Sequence, residues 1–291
     1  MGNIPTEIKL IECPRDAMQG IKEFIPTEKK IQYINQLLKV GFDTLDFGSF
    51  VSPKAIPQMK DTAEVLKGLD VDLLKKNQML AIVANLRGAR NACEFPEIQY
   101  LGYPFSISET FQRRNTNASI EESLDRLRDI FELAKASGKE MVVYLSMGFG
   151  NPYGDPWNAQ ILIKWSEILY REGIRILMLS DTIGVAKPES ISYIFEELIP
   201  NFEQIEFGAH LHTAPHNWRE KVEAAYMAGC RRFDSAIRGY GGCPMAKDDL
   251  TGNMATENLL KYFNSMDLQV NLDSGAFDRA VKLSGEVFPV S

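Results

Sequence analysis

The chain has 291 residues, 45% of them hydrophobic and 24% charged, which is enough apolar material for a sizeable core and an ordinary globular balance. Its net charge of −7 excludes a general affinity for nucleic acid or an anionic membrane surface, since either needs a basic face. No apolar run approaches the roughly 20 residues of a membrane span, Met1 to Glu7 has no secretory core, and four cysteines fall singly without a C-x-x-C pair, so a cytoplasmic protein with reduced thiols is expected.

Short apolar runs alternate with amphipathic stretches along the whole chain. Ile8 to Cys13 is predicted as a strand, then a Pro/Gly-rich loop, then a helix from Thr27 to Val40 with Ile31, Ile34, Leu37 and Leu38 at helical spacing and Gly41 as its stop. Strands follow at Thr44 to Phe47, Met79 to Ala84 and, more weakly, Glu97 to Leu101, with helices near Thr62 to Leu69 and Leu86 to Ala92 between them. Phe105 to Asn117 reads as a long polar loop whose Arg113-Arg114 pair is either a solvated face, the favoured reading, or an anion contact. Ser119-x-x-Glu122 has the form of a capping box and opens a helix that Gly138 ends. Three more strand and helix pairs are expected: Met141 to Leu145 with Asn158 to Arg171, Arg175 to Leu179 with Ser190 to Ile199, and Gln204 to Leu211 with Trp218 to Ala228. Arg232 to Ser235 makes an eighth strand, Thr256 to Met266 the helix after it, and Ser274 to Leu283 a short helix in the tail.

Eight strands, each followed by a helix and with no break in composition, predict one α/β domain, a (β/α)8 TIM barrel over residues 7 to 266 with a C-terminal extension over 267 to 291. Gly239-Tyr240-Gly241-Gly242 lacks the spacing of a dinucleotide fingerprint.

Two of the three histidines lie in Gly208-Ala209-His210-Leu211-His212. Residues two apart on a strand point the same way, so His210 and His212 project together, either as a metal pair or as hydrogen-bonded core histidines. The barrel supplies partners, because working groups sit at the carboxyl ends of strands. Asp16 follows the first strand and Asn253 lies beyond the eighth, which closure brings beside the first. One carboxylate, two imidazoles and an amide oxygen suit an octahedral Mg2+ or Mn2+ better than a tetrahedral zinc. Arg15 brings a fixed positive charge able to stabilise a developing oxyanion, or else pairs with Glu12 as a structural bridge. Asp181 ends the sixth strand, where it could act as a base or orient a metal-bound group. Asp46, ending the second strand, could simply brace Arg15. Cys243, in Gly241-Gly242-Cys243-Pro244, is either an inert thiol or a proton donor on a glycine-hinged flap. His216, in a loop four residues past His212, reads as an exposed residue or a support to a ligand rather than a ligand itself.

Pro14-Arg15-Asp16-Ala17-Met18-Gln19, Ser49-Phe50-Val51-Ser52-Pro53-Lys54 with Pro57-Gln58-Met59, Asp181-Thr182-Ile183-Gly184-Val185, His210-x-His212, Gly241-Gly242-Cys243-Pro244 and Gly252-Asn253-x-Ala255-Thr256-Glu257 occur in this order. Together they resemble the 3-hydroxy-3-methylglutaryl-CoA lyase family of the DRE-TIM metallolyases, over about Ile8 to Phe263. The resemblance implies a retro-Claisen cleavage of 3-hydroxy-3-methylglutaryl-CoA to acetyl-CoA and acetoacetate in a barrel that holds a divalent metal, Mg2+ or Mn2+. It implies Asp16, His210, His212 and Asn253 as metal ligands, and Arg15, Asp181 and Cys243 as catalytic groups. It places Gln19, Lys22 and Asp46 on the substrate, with Lys22 near the CoA phosphates, and it implies a homodimer. Three departures stand out: Ala17-Met18 where the family writes Gly-Leu, Thr213 where it writes an acid after H-x-H, and Asp46 where it has glutamate. They leave open a different 3-hydroxy-acyl-CoA substrate. Other readings are a condensing synthase of the isopropylmalate or homocitrate type, and a non-catalytic acyl-CoA-binding barrel.

Overall fold

The computed structural model describes residues 7 to 242 and 251 to 288. Cys243 lies outside them. In chain order the elements begin with β1 (Lys9–Glu12), α1 (Pro14–Gln19), α2 (Thr27–Leu38), β2 (Thr44–Ser49), α3 (Thr62–Lys67), α4 (Val71–Leu74), β3 (Gln78–Ile82) and α5 (Leu86–Cys93). They continue with β4 (Tyr100–Ser106), α6 (Glu109–Thr116), α7 (Ile120–Ala136), β5 (Glu140–Ser146), α8 (Ala159–Arg171), β6 (Ile176–Asp181) and α9 (Pro188–Asn201). The last are β7 (Glu206–Thr213), α10 (Trp218–Met227), β8 (Arg232–Ser235), β9 (Gly252–Asn253), α11 (Thr256–Ser265) and α12 (Ser274–Val287).

Strands β1 to β8 pair in parallel in sequence order, and pairings of β1 with β8 and of β6 with β7 close the ring. This is a (β/α)8 barrel. β9 pairs antiparallel with β7 at its carboxyl end, setting Asn253 opposite His212. Two apolar clusters follow from the strand alternation. The larger lies between strands and helices, with Leu45, Leu101, Leu145, Leu177 and Ala209 among its members. The smaller joins Leu80, Ile82, Val142, Tyr144, Ile176 and Met178, which alternate along three strands and fill the lumen.

The fourth strand lies further on than Glu97 to Leu101. It runs through Gly102 and Pro104, which read as loop, and both are accounted for by the barrel. A Cβ on Gly102 would lie 2.5 Å from Ile82 Cδ1 in the lumen. Pro104 sits past Gly102, the last β4 residue paired with β3, so its missing N–H breaks no ladder there. Within the expected loop 105 to 117 the chain instead forms α6, with Ser108 as N-cap and Asn117 ending it at φ 52°. Its Gln112-Arg113-Arg114-Asn115 run carries no apolar stripe to announce it. The capping box of α7 is present, with the Ser119 hydroxyl accepting from the Glu122 amide at 3.0 Å and the Glu122 carboxylate from the Ser119 amide at 2.7 Å.

Candidate metal centre and active site

The site is assembled from the segment after β1. Pro14 occupies the first turn of α1, where its fixed φ suits a helix and its missing N–H leaves nothing unpaired. That short helix sets Arg15, Asp16 and Gln19 on neighbouring turns. Arg15 Nη1 donates to Asp16 Oδ1 at 2.8 Å and to Gln19 Oε1 at 3.0 Å. Arg15 Nε reaches both oxygens of Asp46 at 3.1 and 3.2 Å, and Nη2 also donates to Asp46. Asp46 is therefore the brace of Arg15. The alternative bridge from Arg15 to Glu12 is not formed, because Glu12 is occupied by Ile237 and Thr256. Burial works against the Arg15 charge, but Asp46 and Asp16 hold its pKa above the usual value, so it is a permanent cation.

Asp16 is 8% exposed. Its Oδ1 also accepts from Gln19 at 2.6 Å and its Oδ2 from Asn253 Nδ2 at 2.7 Å. Burial alone would raise the carboxyl pKa, yet Arg15 and the two histidines outweigh it and bring it down to about 2. On β7, His210 and His212 project to one side with ring centroids 5.3 Å apart. A ligand atom from each of Asp16, His210 and His212 lies within 4.8 Å of the others. His210 Nδ1 lies 2.9 Å from Asp234 Oδ2. That leaves His210 Nε2 as the nitrogen free to bind a cation. Among the described residues neither nitrogen of His212 has a hydrogen-bond partner, and the ring is 4% exposed. Burial, then the charge of His210, lowers its pKa to about 4. A neutral, unpartnered imidazole beside an ionised carboxylate is what a divalent cation requires, so these residues fit one.

The remaining expected residues fall in different places. Asn253 is beside Asp16, but its nitrogen faces the carboxylate and the Tyr240 carbonyl at 2.8 Å, so here it braces Asp16. Asp181 is not presented to substrate: Lys221 Nζ donates to it at 2.7 Å and the Ala186 amide at 3.0 Å, behind His212. Gln19 lines the cavity. Lys22 is exposed and His216 is exposed. Asp234 was missed, although its place on β8, two residues from Arg232, makes it an inward polar position in a closed barrel. Tyr144, packed edge-on against His210 at 5.8 Å, carried no such signal.

Above these groups opens a cavity of about 720 Å³. Its wall runs from Arg15, Asp16, His210 and His212 past Tyr144 and Ile82 to Arg114 and Arg126. Arg113 pairs with Glu109 on the surface, as a solvated arginine does, while Arg114 turns to the cavity and stacks over Tyr153 at 4.8 Å.

Residues 8 to 283 match the family model described as HMGL-like. The chain belongs to the HMGL-like family. It is 36% identical over 269 residues to the hydroxymethylglutaryl-CoA lyase YngG of Bacillus subtilis, covering 92% of this chain and 89% of that protein. A solved HMG-CoA lyase of Bacillus subtilis superposes with a TM-score of 0.90 at 34% identity, covering 97% of this chain and 94% of that one. The HMG-CoA lyase of Acinetobacter baumannii, solved with coenzyme A and 3-methylmalate, gives 0.89 at 30% identity over 99% and 93% of the two chains. The carboxyl transferase domain of Rhizobium etli pyruvate carboxylase, at 14% identity and a TM-score of 0.68 over 97% of this chain and 47% of that one, shares the fold alone.

Proposed function

We propose that this chain is a carbon–carbon lyase that cleaves 3-hydroxy-3-methylglutaryl-CoA to acetyl-CoA and acetoacetate. The observation that carries the reading is the convergence of Asp16, His210 and His212 beneath a long cavity, with Arg15 fixed against them. The HMG-CoA lyase relatives, one of them solved with coenzyme A, supply the substrate class.

Asp16, His210 and His212 would hold a divalent cation, with Mg2+ or Mn2+ the choice for this N/O set, and the cation would supply Lewis acidity to an oxygen-bearing substrate. Asn253 is a further ligand if its oxygen edge is turned to the cation. Cleavage passes the hydroxyl proton to water in the cavity, breaks the bond between C2 and C3, and leaves the electron pair on the thioester fragment as an enolate. Arg15, held by Asp46, Asp16 and Gln19, is rigid and charged before the bond breaks, so it can meet the growing negative charge on the thioester oxygen without reorganising. A proton then returns to the enolate carbon, and Cys243 is the proposed donor. Asp181, each of whose oxygens accepts from Lys221 or Ala186, is assigned instead to the support of the strand ends beside His212. A homodimer and a cytoplasmic setting complete the proposal.

The test is coupled detection of acetoacetate from 3-hydroxy-3-methylglutaryl-CoA. Activity should vanish with chelator and return with Mg2+ or Mn2+. No product under any metal, with another 3-hydroxy-acyl-CoA cleaved, would move the assignment to that acyl group. Free CoA released from acetyl-CoA and a 2-oxo acid would replace the lyase with a condensing synthase. Cys243→Ala should keep metal content and lose turnover; equal turnover would remove Cys243 from the reaction.

A further inference from the structure

Glu12, the last residue of β1, is fully buried and forms no ion pair among the described residues. Its Oε1 accepts from the Ile237 amide at 2.8 Å, and its Oε2 lies 2.6 Å from Thr256 Oγ1. Thr256 Oγ1 also lies 3.0 Å from Ser235 Oγ, which lies 3.4 Å from the Ile11 carbonyl. A hydroxyl has one proton, so Thr256 can donate to Glu12 or to Ser235 but not to both. The carboxyl thus faces one amide, one shared hydroxyl and no cation among the described residues, which is poor compensation for a fully buried charge.

We infer that Glu12 carries a proton at neutral pH, and that this uncharged acid is a positioning residue for the mouth of the site. The three segments it joins are those that hold the site together. β1 leads into Arg15 and Asp16. The Ile237 amide opens the turn whose Tyr240 carbonyl holds the Asn253 amide on Asp16. Thr256 begins α11, three residues after Asn253. Ionised Glu12 would claim the Thr256 proton, so that the link to Ser235 would have to take the Ser235 proton away from the Ile11 carbonyl.

The neighbouring groups favour the neutral form. Glu257 on α11 adds a repelling charge, Tyr33 on α2 has no cation to offer, and of the turn residues Arg238 and Tyr240, the Arg238 amide donates to Glu257. Burial is the main cause, opposed by the Thr256 and Ile237 hydrogen bonds, and together they place the carboxyl at about 8 against an ordinary 4.5. The inference does not depend on which acyl-CoA the site takes.

Carbon-13 NMR of the parent chain labelled at glutamate Cδ reads the proton directly. One carboxyl resonance should stay at the protonated position at pH 7 and titrate near 8; if every glutamate titrates near 4.5, the inference is overturned. Glu12→Gln can donate to Thr256 and accept from Ile237, so it should recover the folding and Mn2+ binding that Glu12→Ala loses, the latter by about tenfold. Between pH 4.5 and 8 the folding equilibrium of the parent should fall relative to Glu12→Gln by up to about tenfold per pH unit. Parallel curves would overturn the neutral acid, and unchanged Mn2+ affinity in Glu12→Ala would overturn its positioning role.

Discussion

His210 shows how one residue's chemistry is set by another that never meets the ligand. With Nδ1 committed to Asp234, itself 3% exposed, the ring is fixed in orientation and its Nε2 lone pair is directed away from the strand. Asp234→Ala removes both the acceptor and the charge, and Mn2+ affinity measured by calorimetry should fall by about 10- to 100-fold. Asp234→Asn keeps an acceptor for Nδ1–H and should lie between that variant and the parent. Equal affinity in the alanine variant would reduce the pair to packing. Arg15 is a second case, because its planar fork holds Asp46 through Nε and Nη2 while Nη1 serves Asp16 and Gln19, a spread of donors that the single nitrogen of an ammonium does not match. Arg15→Lys should keep its metal yet lose turnover by about 100- to 1,000-fold, the scale of removing one oxyanion donor. Loss of metal with loss of turnover would show that Arg15 mainly holds Asp16 in place.

Among elements, the strongly periodic ones were legible and the ones shaped by tertiary contact were not. The capping box at Ser119 and Glu122 announced α7, and the two histidines on β7 announced the candidate metal centre, because both signals are local. β4 was misplaced because Gly102 and Pro104 are explained only by what lies across the lumen and by where β3 ends. α6 was hidden because its residues are polar all round; tertiary bonds hold it, with Asp155 accepting from Ser108 Oγ at 2.5 Å and from the Thr110 amide at 2.9 Å. Asp181 looked catalytic at the end of its strand because nothing local revealed Lys221, which comes from α10 forty residues later. That pair ties α10 to the ends of β6 and β7, since Lys221 Nζ also donates to the His212 carbonyl at 2.9 Å. Both side chains are almost wholly buried, so Lys221→Met would strand the Asp181 charge and should cost about 3 to 5 kcal/mol in denaturant unfolding. Adding Asp181→Leu should recover much of that loss. A single mutant as stable as the parent would show that the pair is solvated.

For the molecule as a whole, the site imposes a pH dependence on stability whose sign can be worked out group by group. His212 titrates at about 4 when folded against 6.5 ordinarily, so the unfolded chain binds its proton first as pH falls, and the stability it contributes above 6.5 is lost between 6.5 and 4. Asp16, at about 2 against 3.8, extends that acid loss below pH 3.8. Glu12 acts in the opposite sense, its contribution being complete below 4.5 and lost as pH rises to about 8. In chelator, the stability difference between parent and His212→Gln should therefore rise from pH 4 to 6.5 and then level off. Over pH 4.5 to 6.5 the His212 and Glu12 slopes oppose each other in the parent. Added Mn2+ at a hundredfold excess over its Kd should stabilise the fold by about 2.7 kcal/mol. Because protons compete for both imidazoles, that gain should shrink as pH falls below neutrality. A gain from Mn2+ that persists unchanged at pH 4.5, or a His212→Gln difference that is flat throughout, would place the cation away from these histidines.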